Sequence, residues 1–301
     1  MRIGIDLGGT KITAIAIDNK GCELYRQRHP TCRDYPGLIR QLDDIIQHIE
    51  HKLGVSGSVG IGTPGTISRQ TGRMKNCNST CLNDQPLKQD IEQETGREIR
   101  IANDANCFAL SEAIDGAGKE DSVVFGVILG TGTGGALVHN RHCFSGPNGI
   151  AGEWGHNVLP GLGSEFENEQ RPCYCGRFNC VETYLSGPGL SKTYQRLYGD
   201  HLEAKNIAWQ VSQGESRASE VLAIYQRQLA AGLSVVINIV DPDCVILGGG
   251  LSNIDSLYTA VPALWQSTVF SDRVDTRLLK ARYGDDSGVR GAAWLWNNND
   301  P

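Results

Sequence analysis

The chain uses one local plan twice. Residues 2–7 (RIGIDL) read as a buried strand, Gly8, Gly9, Thr10 and Lys11 follow, and residues 12–17 (ITAIAI) alternate β-branched residues with alanine, again strand-like. Residues 122–129 (SVVFGVIL) form a second hydrophobic strand, followed by GTGTGG and the strand-like ALVHN. Two strand–turn–strand units indicate a weak internal duplication, carried by pattern more than by identity. A P-loop needs G-x-x-x-x-G-K-[ST] opening a helix, and a dinucleotide fingerprint needs a helix after its glycines. The first pattern is absent and ITAIAI is a poor helix. What remains is a pair of hairpin tips whose glycines let backbone amides approach a phosphate closely. The plainer reading is two ordinary hairpin turns.

Asp6 ends the first strand beside these glycines. A carboxylate next to a phosphate is repulsive unless a cation intervenes, so Asp6 reads as a Mg²⁺ partner, direct or through water. Helical spacing of Leu38, Leu42, Ile45, Ile46 and Ile49 predicts a helix over 38–53, with Gly54 as its cap. A strand at 58–62 runs into TPGT. A short helix from about Pro86 to Glu94 precedes a strand at 98–102, and a helix follows over roughly 105–114. A long helix is predicted over 218–240 and a strand over 244–247. The strand runs into Gly248, Gly249 and Gly250, and a last helix lies near 289–296. Strands and helices alternating over 301 residues predict an α/β protein of two domains.

A net charge of −6 leaves no electrostatic footprint for nucleic acid and argues against an anionic membrane. No signal peptide is read at MRIGIDLGGT, and no apolar run approaches the ~20 residues of a membrane span. Ten cysteines in a long chain without a leader suggest a reducing, cytoplasmic setting. Three of them are bunched: Cys173, Cys175 and Cys180, with His156 upstream in GEWGHN. Three thiolates and an imidazole make a closed tetrahedral zinc set of the structural kind, although other histidines could supply the fourth ligand. The intervening loop has little apolar content, so a metal clip would stand in for a local core.

Phosphoryl transfer to a hydroxyl needs an aligned acceptor, a cation on the phosphates and a carboxylate to take the proton. Asp104 follows a strand and precedes a helix. That suits a general base, and it equally suits a helix N-cap. Asn103 either hydrogen-bonds a sugar or shapes the turn. The Gly248–Gly250 run lies at a strand end, where ligands bind in open α/β sheets, or is simply a tight connection.

DLGGTK at the start, VGIGTPG, NDAN at 103–106, LGTGTGG, GEWGH at 152–156 and CYCGRFNCVE at 173–182 together resemble the ROK family. GGG at 248–250 and the terminal DSGVRGAAWL extend the match across nearly the whole chain. The resemblance implies an actin-like ATPase (ribonuclease H-like) fold: an N-terminal domain of 1–116 joined by a C-terminal helix at about 288–301, and a second domain of 117–287 carrying the zinc loop, with the active site in the cleft. It implies ATP with Mg²⁺ and a hexose as partners, with no nucleic acid and no membrane. A homodimer is compatible, since related enzymes are commonly dimers. It implies Asp104 as base and Gly65, Asn78, Asn103, Glu153, His156 and Glu182 at the sugar. His156, Cys173, Cys175 and Cys180 would hold structural Zn²⁺. Asp6, Gly8, Gly9, Thr10, Lys11, Gly130, Thr131, Gly132 and Gly134 would line the phosphates, with Gly249 near the adenosine.

One departure stands out: Asn179 occupies a position where the family usually has glycine. Asparagine tolerates positive φ better than most residues. NCNSTCLNDQPL and AGEWGHNVLP look most like the fructokinase branch, which would make fructose 6-phosphate. NDANCFALSEA and LSGPGL resemble N-acetylglucosamine kinases, so that activity or glucokinase is the alternative. Repressors of the family carry a helix-turn-helix ahead of DLGGT, for which Asp6 leaves no room. A non-catalytic sugar-binding relative is a remoter alternative.

Overall fold

The structure, a computed structural model, describes residues 1–77, 80–161, 163, 166 and 168–296. The chain forms two compact units: Met1–Lys119 with Gly146–Gly149 and Asp285–Pro301, and Glu120–Ser145 with Ile150–Gly284.

The first unit runs β1 (Arg2–Leu7), β2 (Lys11–Ile17), β3 (Glu23–Pro30), α1 (Tyr35–Leu53), β4 (Ser58–Thr63), the ribbon β5 (Thr66–Ile67) and β6 (Met74–Lys75), α2 (Leu87–Thr95), β7 (Ile99–Asn103) and α3 (Asp104–Ile114). Its main sheet has the order β3-β2-β1-β4-β7, with β1, β4 and β7 parallel and the β1–β2–β3 meander antiparallel. The predicted helix over 38–53 is α1. Asp34 caps it by accepting from the Gly37 amide, Gly54 closes it at φ 67°, and Leu38, Leu42, Ile46 and Ile49 are fully buried.

The second unit runs β8 (Val123–Leu129), β9 (Thr133–His139), β10 (His142–Cys143), α4 (Glu182–Leu185), α5 (Gly187–Tyr198), α6 (Ala204–Ser212), α7 (Ser216–Val240), β11 (Cys244–Gly248), α8 (Leu257–Trp265) and β12 (Arg277–Lys280). Its sheet has the order β10-β9-β8-β11-β12, again an antiparallel meander followed by three parallel strands. The duplication read from two glycine turns therefore extends to whole sheets. Helix α7 is long and apolar enough to cross a membrane by length and composition. Its Val221, Leu222, Leu229 and Leu233 are instead buried with Trp154, Tyr184 and Leu247 in the core of this unit.

Helix α9 (Ser287–Trp294) returns to the first unit and lies on β1, β4 and α3. Three glycines allow the approach. A Cβ on Gly4 would run into the Val289 carbonyl, one on Gly60 into that of Ala292, and one on Gly291 into that of Cys107. Polar ties add to the contact. The Ser287 hydroxyl donates to buried Glu112 at 2.8 Å, and Arg290 pairs with Asp115. Because backbone atoms are what a new methyl would strike, Gly60→Ala is expected to cost more than ~2 kcal/mol. Urea unfolding measures it; an unchanged midpoint would contradict this packing.

Candidate active site and metal centre

In the first unit the candidate residues gather at the carboxyl ends of parallel strands. Asp6 sits near the end of β1, Thr63 and Gly65 lie at and just after the end of β4, and Asn103 ends β7. Asn103 is the N-cap of α3: its side-chain oxygen accepts from the Asn106 amide at 2.8 Å. The capping role open to Asp104 thus belongs to its neighbour, and the Asp104 carboxylate accepts from the adjacent Ala105 amide at 2.8 Å. Surrounding protein desolvates the Asp104 carboxyl and pushes it above the ordinary aspartate range, although the residue keeps an exposed face. Burial, and then the charge of Asp104, raise Asp6 to about 6, with Lys11 opposing. Two mutually repelling carboxyls at strand ends are a ready cation site.

The turn between β1 and β2 is closed by the Gly8 amide on the Lys11 carbonyl at 3.1 Å. It is pinned by Thr31, whose hydroxyl donates to the Gly8 carbonyl at 2.7 Å. Gly9, Thr10 and Lys11 are exposed at its tip. Gly65 has φ 131°, and a side chain there would meet the Cys77 sulfur at 2.6 Å, so glycine is dictated by the backbone. Asn78 lies outside the described residues.

In the second unit, the turn from β8 to β9 carries Gly130, Thr131 and Gly132, closed by the Gly130 amide on the Gly132 carbonyl at 3.0 Å. Gly249, at φ 79°, crosses so near β8 that a Cβ would stand 2.6 Å from the Leu129 carbonyl oxygen. The GEWGH segment lies flat on β9. The Trp154 indole donates to the Gly134 carbonyl at 3.2 Å, its ring fills the space a Gly135 side chain would need, and Gly152 abuts Ala136. This is why the segment needs its glycines, and it fixes Glu153 and His156 relative to β9.

From His156 the chain pairs with the cysteine loop. The Leu159 amide donates to the Asn179 carbonyl at 2.9 Å and the Val181 amide to the Asn157 carbonyl at 2.8 Å. Asn179 has φ 56°, so the substitution for glycine keeps the left-handed turn. Its side chain also accepts from the Arg171 amide at 2.7 Å and the Tyr184 hydroxyl at 3.0 Å, and donates to the Glu169 carbonyl at 2.9 Å. The ligand atoms of His156, Cys173, Cys175 and Cys180 lie within 4.8 Å of one another. His156 Nδ1 is 3.6 Å from the Cys173 sulfur, and the Cys175 and Cys180 sulfurs are 3.6 Å apart. A tetrahedral zinc with ~2.3 Å bonds to sulfur has edges of about 3.8 Å, so the donor set and its spacing fit zinc. Imidazole Nε2 meets the Tyr174 hydroxyl at 2.9 Å. Tyr174 was missed by sequence reasoning, its only signal being its place between two ligand cysteines. Glu182 opens α4 and accepts the Thr133 amide at 3.0 Å, a contact that nothing in the sequence announces.

Residues 2–299 match the ROK family. The chain belongs to the ROK family. It is 41% identical over 299 residues to an N-acetyl-D-glucosamine kinase of Pectobacterium atrosepticum, covering 98% of each chain. A ROK hexokinase from Thermus thermophilus superposes with a TM-score of 0.86 at 28% identity, over 97% of this chain and 96% of that one. A ROK glucokinase from Streptomyces griseus, solved with glucose and AMPPNP, gives 0.76 at 27% identity over 98% of both. The chain is an ATP-dependent sugar kinase with the actin-like ATPase fold.

The raised Asp6 has a measurable consequence. A carboxyl with a higher pKa in the folded state stabilises fully below its unfolded value of 3.8, and that contribution is lost as pH climbs through about 6. Above that pH the charged group strains the apo fold. Asp6→Asn is therefore expected to raise the apo Tm by about 2–4 °C at pH 7.5 and to change it little near pH 4. A lower Tm at pH 7.5 would contradict the burial argument.

Proposed function

We propose that this ROK kinase phosphorylates N-acetylglucosamine. The carrying observation is the 41% identity, end to end, with an N-acetyl-D-glucosamine kinase. It favours the alternative named from NDANCFALSEA over fructose, the first choice from NCNSTCLNDQPL. Glucose is the second reading, supported by the glucokinase likeness.

In this proposal Asp104 is the general base, taking the proton of the attacking hydroxyl as the γ-phosphoryl arrives. Its raised proton affinity and the helix cap supplied by Asn103 support the role. Asp6 would hold Mg²⁺, which when bound neutralises phosphate charge. Gly8, Gly9, Thr10 and Lys11 in one unit and Gly130, Thr131, Gly132 and Gly134 in the other offer amides and hydroxyls to phosphate, with Gly249 near the adenosine. Gly65, Asn78, Asn103, Glu153, His156 and Glu182 bind the sugar. His156, Cys173, Cys175 and Cys180 hold a structural zinc that orders the loop carrying the sugar-binding side chains. The two domains are taken as 1–116 with 288–301, and 117–287. On family grounds, a cytoplasmic homodimer completes the picture.

The test is ADP release from MgATP across N-acetylglucosamine, fructose, mannose, glucose, N-acetylmannosamine and allose. N-acetylglucosamine should lead, and Asp104→Asn should lose about 10²–10⁴ in kcat while sugar binding survives. Fructose well ahead would restore the first choice, and a near-normal mutant would remove Asp104 as base. Elemental analysis should find about one zinc per chain, and a chelator should lower Tm and raise the sugar KM together. Zinc-free protein that stays folded and fully active would end the structural role.

A further inference from the structure

We propose that Glu182 is a positioning residue that braces the β8–β9 turn from the metal loop, so that its loss weakens nucleotide binding as well as sugar binding. The inference rests on reading that turn as phosphate-binding.

Glu182 Oε2 accepts the Thr133 amide at 3.0 Å. A Cβ on Gly132 would stand 2.6 Å from the same oxygen, so the carboxylate lies against the turn backbone itself. Five residues on, the Gly187 amide donates to the Gly130 carbonyl at 2.7 Å. The turn is therefore held near each end by the segment that contains α4, while its own closure is the single 3.0 Å bond from Gly130 to Gly132. On its other side this segment continues from the metal loop. Cys180 lies two residues before Glu182, its sulfur is 3.5 Å from the His156 carbonyl oxygen, and the neighbouring Val181 amide donates to the Asn157 carbonyl. One carboxylate oxygen is thus engaged by the turn, and on the proposed function the other would meet a sugar hydroxyl. An amide bonded to a carboxylate is stronger than a neutral pair, and removing the acceptor leaves the Thr133 amide without its partner.

The experiment titrates wild type, Glu182→Ala and Glu182→Gln with Mg-AMPPNP by calorimetry in the absence of sugar. Amide exchange of the β8–β9 turn is followed in the same proteins. Glu182→Ala is expected to weaken the nucleotide about tenfold and to speed exchange at Thr133 by a similar factor, leaving amides inside β8 unchanged. Glu182→Gln keeps a carbonyl acceptor, so its nucleotide Kd should stay within about twofold of wild type while its sugar KM rises. That split separates bracing from general damage to the fold. Equal nucleotide affinity and equal Thr133 exchange in wild type and Glu182→Ala would overturn the brace alone. Failure of the wild type to bind Mg-AMPPNP would overturn the reading of the turn, and the inference with it.

Discussion

The first turn of a helix has amide groups with no partner inside the helix, and a nearby side chain must satisfy them. At the end of β7 that task falls to Asn103, which caps α3 through the Asn106 amide. The consequence reaches the chemistry. Asp104 starts the helix without capping it, and its desolvated carboxyl is held above the ordinary aspartate range. Had the aspartate capped, the amides of the turn would have stabilised its charge and lowered its proton affinity. The order Asn-Asp, and not either residue alone, sets up a carboxylate suited to accept a proton.

The same economy of backbone governs both units. Helix α9 reaches the first sheet because Gly4, Gly60 and Gly291 leave room for carbonyl oxygens. The GEWGH segment reaches β9 because Gly135, Gly152 and Gly155 do the same for a tryptophan and a strand. In each case glycine lets another part of the chain approach the backbone closely, and side-chain contacts then hold the candidate groups in place. A single added methyl at these positions displaces main chain and is felt at the site.

Much of this was legible in the sequence. The strand–turn–strand repeat, the amphipathic α1 and the cysteine cluster announce themselves through periodicity, glycine and ligand spacing. The second choice of sugar was also present in NDANCFALSEA, although the segment after the TPG loop drew the reading toward fructose. Other features left no local signal. Strand β3 (ELYRQRHP) is a polar edge strand with few buried positions, so it lacks the alternation that marks a half-buried strand. The choice between Asn103 and Asp104 as cap depends on which side chain points back over the turn, which identical propensities cannot decide. The contact between Glu182 and Thr133 joins residues 49 positions apart and follows from tertiary packing alone.

The most direct measurement is the pH dependence of kcat/KM for the wild-type enzyme with N-acetylglucosamine at saturating MgATP. A general base must lose its proton before it can act, and desolvation that raises its affinity for that proton moves the loss of activity upward in pH. The expected profile falls on the acid side through a single ionisation clearly above 3.8, the ordinary aspartate value. A rate that holds constant down to pH 4 in protein that remains folded would contradict Asp104 as a desolvated general base.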